Sequence, residues 1–515
     1  MPDQRLKSII VVGGGTAGWM TAAALIERFG PNRHTKITLV ESPDIGTVGV
    51  GEATVPQMRE FLKRLRINEI DFVKRTSATF KLAVGFEGWA GEGTTFFHPF
   101  SEHGVPLLGT AFQHYWVKMQ RMGKALPIDR YVLSSQLAQS GKLALPKQGQ
   151  GGEGFLFFNY AFHFDASLVA RYLKSWAETH GVRRIDGTIT DVRINGESGN
   201  VETLELAGGG RIEGDLFIDC SGFRGLLTEQ ALHTGYDDWT HWLPCDRALA
   251  MPCESRLAPP SFTRSIATEA GWQWRIPLQH RVGNGYVYCS RHSSEERARE
   301  ILTGSVEGPA LVEPRLLPFK TGMRRKIWNR NVFSLGLASG FLEPLESTSI
   351  YLVQKGIGAL IGSFPQAMPN LSLQEDVNRR QREHWEHIRD FIILHYKLNR
   401  RVGEPFWDEC RDMPIPDSLA ATIESFRATG RVRVEMTDFF RESSWLAMFA
   451  GFGIVPEYYH PAVDDLPERD VEKELASIAA AIDSAVAGAP AHADFIKANC
   501  QSEAPAALPA TGTGR

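Results

Sequence analysis

The sequence predicts an α/β nucleotide-binding module with a mostly helical C-terminal layer, and two observations carry that prediction. Residues 11–19 read Val-Val-Gly-Gly-Gly-Thr-Ala-Gly-Trp, with Gly13, Gly15 and Gly18 in G-x-G-x-x-G spacing directly after the apolar run Ile9–Val12. Beyond residue 350 helical periodicity dominates, notably over Glu375–Leu398 and Val471–Val486.

The first unit has the order that its chemistry needs. A buried strand leads into a tight turn, glycines let the backbone approach a pyrophosphate, and the following helix presents unpaired N–H groups to the anion. Ala17, Met20, Thr21, Ala24 and Leu25 recur at helical spacing and predict an amphipathic helix. Twenty-three residues after Gly18, the strand-like Ile37–Val40 ends in Glu41, suited to accept from a ribose hydroxyl. A glycine pattern alone is an ordinary turn as readily as a phosphate loop. Strand, glycines, helix, second strand and terminal acid together predict a dinucleotide site.

Residues 5–90 read as the opening β-α-β, with Val48–Thr54 as a second glycine-rich loop. Residues 91–154, rich in Gly, His, Phe and Pro, read as an insertion contributing to a substrate site. Order returns near Phe157–Phe164 and in a helix over Ala166–His180. Strands follow in Ile185–Ile194, Thr203–Leu206 and Leu216–Ile218, punctuated by turns at Asn195-Gly196 and Gly208–Arg211. The expected division is a discontinuous nucleotide-binding module over 1–360, a helical part over 361–498 packing over the substrate site, and a disordered tail over 499–515.

Three segments outside the nucleotide fingerprint have chemical potential. Thr79–Phe86 alternates with period two, so Phe80, Leu82, Val84 and Phe86 share one face and Lys81 lies on the other beside Ala83 and Gly85. An isolated strand lysine is usually just solvated. Trp272, Trp274 and Ile276 share one face of a predicted strand, where the plain alternative is two tryptophans filling a sheet core. After the strand-like Val332–Ser334, Pro344 fits the start of a helix, with the hydroxyls of Ser347, Thr348 and Ser349 at its first turn. That arrangement suits a small anion or a ligand carbonyl; its plain alternative is N-capping.

Composition bounds the rest. The 515 residues are 43% hydrophobic, enough for a sizeable core, and the net charge of −4 comes without a basic block. Nucleic acid and anionic membranes are therefore not expected partners. Six cysteines (220, 245, 253, 289, 410 and 500) include no C-x-x-C, so neither a disulfide framework nor a metal site is expected. The chain enters its first strand within about eight residues and holds no apolar run of spanning length, so a cytoplasmic protein is expected.

Taken together, Gly13–Gly18, Gly49–Thr54, the lysine of Phe80-Lys-Leu, the W-x-W-x-I-P at Trp272–Pro277 and Glu343–Thr348 resemble the flavin-dependent tryptophan halogenases from the first strand to about residue 460. The resemblance implies an FAD-binding fold of the flavin monooxygenase type. It implies reduced FAD delivered by a separate NAD(P)H-dependent flavin reductase, O2 as co-substrate and a halide, chloride or bromide. In that chemistry a flavin hydroperoxide is attacked by halide, and hypohalous acid travels through a tunnel to the essential lysine, here Lys81. Glu346 would polarise the electrophile or take the ring proton. Ser347, Thr348 and Ser349 would lie at the halide. FAD contacts would fall on Gly13, Gly15, Thr16, Ala17, Gly18, Glu41, Gly49, Gly51, Glu52, Ala53, Gly336, Leu337, Ser349 and Ile350. Trp272 and Trp274 would wall the organic substrate off from the flavin, and His98, Phe100 and Trp445 would sandwich an indole. A homodimer is left open.

Two departures from the family pattern have consequences. Ser349 stands where many members have Gly, which suggests an imperfect halide pocket and hence a bromide preference. Trp445-Leu446 stands where free-tryptophan enzymes have Tyr-Tyr, which removes a recognisable amino-acid clamp and favours indole. A flavin-dependent aromatic hydroxylase is the first rival, although Leu337 replaces the aspartate such enzymes use at the ribityl chain. A non-catalytic flavin-binding protein is the second, although it would need neither Lys81 nor Glu346.

Overall fold

The computed structural model describes residues 6–30, 34–42, 51–146, 158–365 and 370–503. A six-stranded sheet runs in the order Trp328–Asn329, Val332–Ser334, Leu216–Asp219, Ser8–Val12, Lys36–Glu41, Arg183–Asp186. All its pairs are parallel except the outermost, Trp328–Asn329 against Val332–Ser334. Val12 stands level with both Val40 and Asp219. The carboxyl ends of these strands thus open on one edge, where parallel sheets bind their ligands.

The Thr16–Phe29 helix packs against this sheet and against the helices Ala166–Thr179 and Thr348–Gly362. Enclosed on several sides, it is buried without a break from Gly18 to Ile26 rather than amphipathic as expected. On the sheet's other face, the meander Ile189–Ile194, Val201–Leu206, Arg211–Glu213 closes a small core around Ile10, Val40, Phe217 and Val332.

A seven-stranded sheet contains Arg315–Pro318, Arg247–Cys253, Val282–Tyr288, Gly271–Pro277, Phe262–Thr268, Ala83–Glu87 and Thr95–Pro99, in that order. The expected insertion is therefore not a mere excursion. Its Thr95–Pro99 is the edge strand, with His98 opposite Val84. A third sheet pairs Ala161–Asp165 with Gly51–Ala53 and with Thr79–Lys81. Hence the loop expected over 48–54 is partly strand, and its Gly49 lies outside the described residues.

The strand expected over Thr79–Phe86 is two strands in two sheets. Leu82 is the switch: its N–H donates to Ser261 O, and its carbonyl accepts from Phe100 N–H. Both segments are buried on both faces, so period-two alternation could not reveal the change of sheet. Lys81 sits at the end of the first segment.

The long helix Leu371–Lys397 starts at Asn370, whose side chain accepts from Leu373 N–H, and is buried continuously from Ile388 to Tyr396. The expectation of disorder from residue 499 fails over the first residues of the tail. Cys500 is buried, Ser502 N–H donates to Gln279, and the Ser502 hydroxyl bonds that of Ser77. Among the described residues no helix is long and apolar enough to cross a membrane.

A side chain at Gly18 would collide with the Gly13 carbonyl, a backbone atom that cannot yield. Gly18→Val is therefore expected to lower stability by about 1–3 kcal/mol and to abolish FAD binding. Urea melts and flavin-fluorescence titration check this; unchanged binding would contradict the close strand–helix approach.

Candidate active site

Three glycines shape a cradle at the carboxyl edge of the parallel sheet. Gly13 has φ 115°, and a Cβ there would strike Cys220 O. A Cβ at Gly14 would strike the Glu41 carboxylate, and Gly18 is bound by Gly13 as described. Gly15 begins the helix without a side-chain cap, and no acid occupies its first turn. That leaves the positive helix end facing open backbone, which fits a pyrophosphate. Thr16 donates to Ala166 O, and Ala17 packs against Gly336, itself at φ 64°. Glu41 is less free than expected: its Oε1 accepts from Lys174 at 2.8 Å and Arg184 at 2.6 Å, its Oε2 from Trp19 at 3.3 Å.

The other expected cofactor residues fall in three places. Gly51 packs on Ile276 and Gly283, with Glu52 and Ala53 beyond it. Burial pushes the Glu52 carboxyl up to about 7. Ile350 and half-buried Ser349 lie in the first turn of the Thr348–Gly362 helix. Leu337 lines a separate open groove of about 430 Å³ with Phe223, Tyr236 and Phe319.

Lys81 is fully buried, which overturns the solvated-lysine reading. Its Nζ donates to Ser347 Oγ at 2.7 Å and lies 5.2 Å from the Phe100 ring centre. Loss of water around the ammonium lowers its pKa to about 7, against an opposing pull from the Glu346 charge. Ser347 has φ 60°, a left-handed conformation uncommon for a side-chain-bearing residue, and makes no cap bond to the helix it precedes. Its hydroxyl serves the lysine instead. Pro344 starts only a single 3-10 turn, Pro344–Glu346, and the helix proper begins at Thr348.

Glu346 is buried between two histidines: Oε2 meets His98 Nδ1 and Oε1 meets His395 Nε2, each at 2.8 Å. Burial alone would raise its pKa, yet the charges and hydrogen bonds of His98 and His395 bring it down to about 2. Acceptors face both nitrogens of His395, since Nδ1 also meets Phe391 O at 2.7 Å. Lys81 and Glu346 do not pair directly: among the described residues no ion pair joins them, because Ser347 takes the lysine and the histidines take the carboxylate.

A cavity of about 180 Å³ opens beside this group, lined by His98, Pro99, Phe100, Glu346, Phe439, Phe440 and Arg441 among others. Phe440 stacks on Phe391 at 3.7 Å and Phe439 on Tyr351 at 3.9 Å. Trp445, expected at the ring, is not part of the lining. It is buried edge-on against Phe391 at 5.0 Å, because its helix turns that face inward. Trp272 and Trp274 share a strand face as expected, 6.3 Å apart, and Trp272 Nε1 donates to Glu343 at 3.0 Å.

Sequence reasoning missed His395, Phe439 and Phe440. His395 sits within an ordinary helical pattern and gives no local signal. Phe439-Phe440 was the readable one: two aromatics in succession ending a polar, irregular stretch from Arg431.

A glycine cradle for a dinucleotide, together with a buried amine and a histidine-held carboxylate beside an aromatic cavity, defines a cofactor-dependent enzyme of the flavoprotein class. The tryptophan halogenase family matches residues 8–468, and the chain belongs to it. BrvH, a flavin-dependent halogenase from Brevundimonas sp. BAL3, is 44% identical with a TM-score of 0.93, over 96% of this chain and 99% of its own. A flavin-dependent halogenase from Xanthomonas campestris is also 44% identical with a TM-score of 0.93, over 97% and 100%. The tryptophan 6-halogenase ThaL of Streptomyces albogriseolus is 34% identical over 92% of this chain and 94% of its own.

The histidine clamp has a thermodynamic signature. Glu346 has a folded pKa below its ordinary value of 4.5, so its stabilisation is complete above about 4.5 and is lost as pH falls toward 2. Glu346→Gln is expected to flatten the acid limb of stability in that window. Thermal melts across the window decide it, and a limb identical to that of the unaltered protein would contradict the clamp.

Proposed function

We propose that this enzyme halogenates an electron-rich aromatic ring of the indole class, using reduced FAD, O2 and a halide. The observation that carries the reading is Lys81: a buried amine of lowered pKa beside an aromatic cavity that also holds Glu346. The cradle at Gly13–Gly18 fits FAD of the flavin monooxygenase arrangement, with Gly51, Glu52, Ser349 and Ile350 toward its ring end. Bound there, reduced FAD with O2 and halide supplies hypohalous acid, and a separate flavin reductase supplies the reduced cofactor.

The protein's own groups do the rest. Near neutral pH a large share of Lys81 is the free amine, whose lone pair attacks the halogen of hypohalous acid. The N–halogen bond forms as the O–halogen bond breaks, and hydroxide leaves as water with the proton that nitrogen gives up. The N–halogen bond then breaks as the ring takes the halogen, and Nζ regains a proton from solvent. Ser347 Oγ holds Nζ in place, and Thr348 and Ser349 complete a polar halide turn. Phe100, Phe439 and Phe440 pack the ring. Glu346 is too acidic to be a strong base, so its main contribution is electrostatic: its negative charge faces the cation that forms as halogen adds. The ring proton then leaves to Glu346 Oε2, beside His98 Nδ1. Trp272 and Trp274 keep the organic substrate from the flavin. A hydroxylase reading gains nothing from a buried lysine, and a binding protein has no use for the clamped carboxylate.

Lys81→Ala is expected to abolish halogenated product while oxidation of externally supplied reduced FAD continues. In the unaltered enzyme, halogenation should rise as pH passes upward through about 7, because the free amine replaces the ammonium. The rise should persist in Glu343→Gln, which removes another buried group lifted to about 7. Mass-spectrometric product rates across pH test both. Product from Lys81→Ala, or a rate that falls across that range, would remove the amine from the mechanism.

Free indole should outperform L-tryptophan in kcat/KM and be halogenated at C3. Trp445 and Leu446 are both buried and offer nothing to a zwitterion, while Arg441 Nη1 is engaged by the carbonyls of Glu435 and Met436. Burying both charges unpartnered costs several kcal/mol. With equal chloride and bromide, brominated product should predominate, since bromide is easier to oxidise and desolvate. Tryptophan preference with a single benzo-ring product would reveal a clamp and sink the substrate proposal; predominant chlorination would sink the halide proposal.

A further inference from the structure

Glu343 lies on the same turn as Glu346, is fully buried, and has no part in the chemistry above. Its Oε2 accepts both from Trp272 Nε1 at 3.0 Å and from the Tyr396 hydroxyl. Its Oε1 has no partner among the described residues, and no cation there pairs with it. Tyr396 directly follows His395. One helix therefore uses two consecutive residues to hold two acids of one turn, His395 taking Glu346 and Tyr396 taking Glu343. Trp89 backs the assembly, 5.6 Å from Tyr396, 6.5 Å from Trp272 and 6.3 Å from His395, and Cys245 Sγ lies 3.7 Å from the phenol oxygen.

An acid at this point is chemically specific. A glutamine of the same size would set a neutral amide where the carboxylate now accepts from Trp272 and Tyr396. An ionised oxygen can draw two donors together with charge-assisted bonds that a neutral amide lacks. Burial raises the carboxyl to about 7, while the bonds from Trp272 and Tyr396 pull the other way.

We propose that Glu343 is a positioning residue for halogenation: by gathering Trp272 and Tyr396 at one oxygen, it locks the tryptophan wall to the loop that carries Glu346 and Ser347. The inference rests on the halogenase reading. The lock touches no reactant. It keeps the wall and the Lys81 site in one register, so that oxidant formed on one side is consumed on the other.

The test uses the full-length FAD-loaded enzyme with chemically reduced FAD, bromide and indole at pH 8. It reads halogenated indole formed per flavin oxidised, together with hypobromous acid captured in solution by taurine. Glu343→Gln should oxidise reduced FAD at the original rate. Its product per flavin should fall roughly 5- to 10-fold, the order expected when a charged acceptor is replaced by a neutral one, with a matching rise in trapped oxidant. Tyr396→Phe, which keeps the acid and the Trp272 bond, should show a smaller loss, and the double variant should be no worse than Glu343→Gln alone.

An original product yield in Glu343→Gln overturns the proposal. If that variant fails to fold, Tyr396→Phe decides: full yield without trapped oxidant overturns the lock, and leakage supports it. If the unaltered enzyme itself makes no halogenated product, the halogenase reading falls, and the lock with it.

Discussion

Everything at this site depends on keeping Lys81 and Glu346 in each other's field without letting them pair. A direct ion pair would hold the lysine protonated and so remove the nucleophile that the proposed mechanism needs. The chain prevents this with three groups. Ser347 is forced into a left-handed conformation that turns its hydroxyl to Nζ, and His98 and His395 take both carboxylate oxygens. The lysine is thereby left to the desolvation that lowers its pKa, while the carboxylate is held ionised. Normal tendencies are inverted at both groups by separate neighbours.

That arrangement explains why the site is built from so many elements. Lys81 comes from the three-stranded sheet, His98 and Trp272 from the seven-stranded sheet, His395 from the long helix, and Glu346 with Ser347 from one short turn. The glycine cradle belongs to the six-stranded parallel sheet. The Thr348–Gly362 helix is the joint, since it begins at the catalytic turn and packs on the helix that the cradle caps. Binding and chemistry are thus set by different sheets and brought into register by one helix.

The same geometry accounts for what the sequence disclosed. The cradle was legible because its requirements are local: Gly13, Gly14 and Gly18 are needed by atoms within one strand–turn–helix unit and by the strand beside it. Lys81 carried meaning only through the company of the other segments, since eight buried residues in two sheets mimic one alternating strand. Glu346 was found and His98 was placed at the substrate, but neither their bond nor His395 was, because the two histidines are 248 and 49 positions from Glu346 and no local pattern ties them to it. Trp445 was misassigned for the converse reason. An aromatic in a short apolar helix gives no sign of which side faces a cavity, and here the lining fell to Phe439 and Phe440 from the preceding loop.

Charge development during the reaction gives the buried amine a second purpose. On the proposed mechanism, halogen transfer creates a ring cation in the cavity that Glu346 and His98 line, beside Lys81. An ammonium at Lys81 would oppose that cation in a medium of low polarisability, where a few ångströms weigh heavily. A lysine whose pKa is lowered to about 7 is neutral in much of the population when charge appears. His395 meets Glu346 Oε1 and the Phe391 carbonyl. His98 occupies the other oxygen and lines the cavity. On the proposed mechanism the carboxylate of Glu346, which lines the cavity, sets negative charge where the ring cation develops.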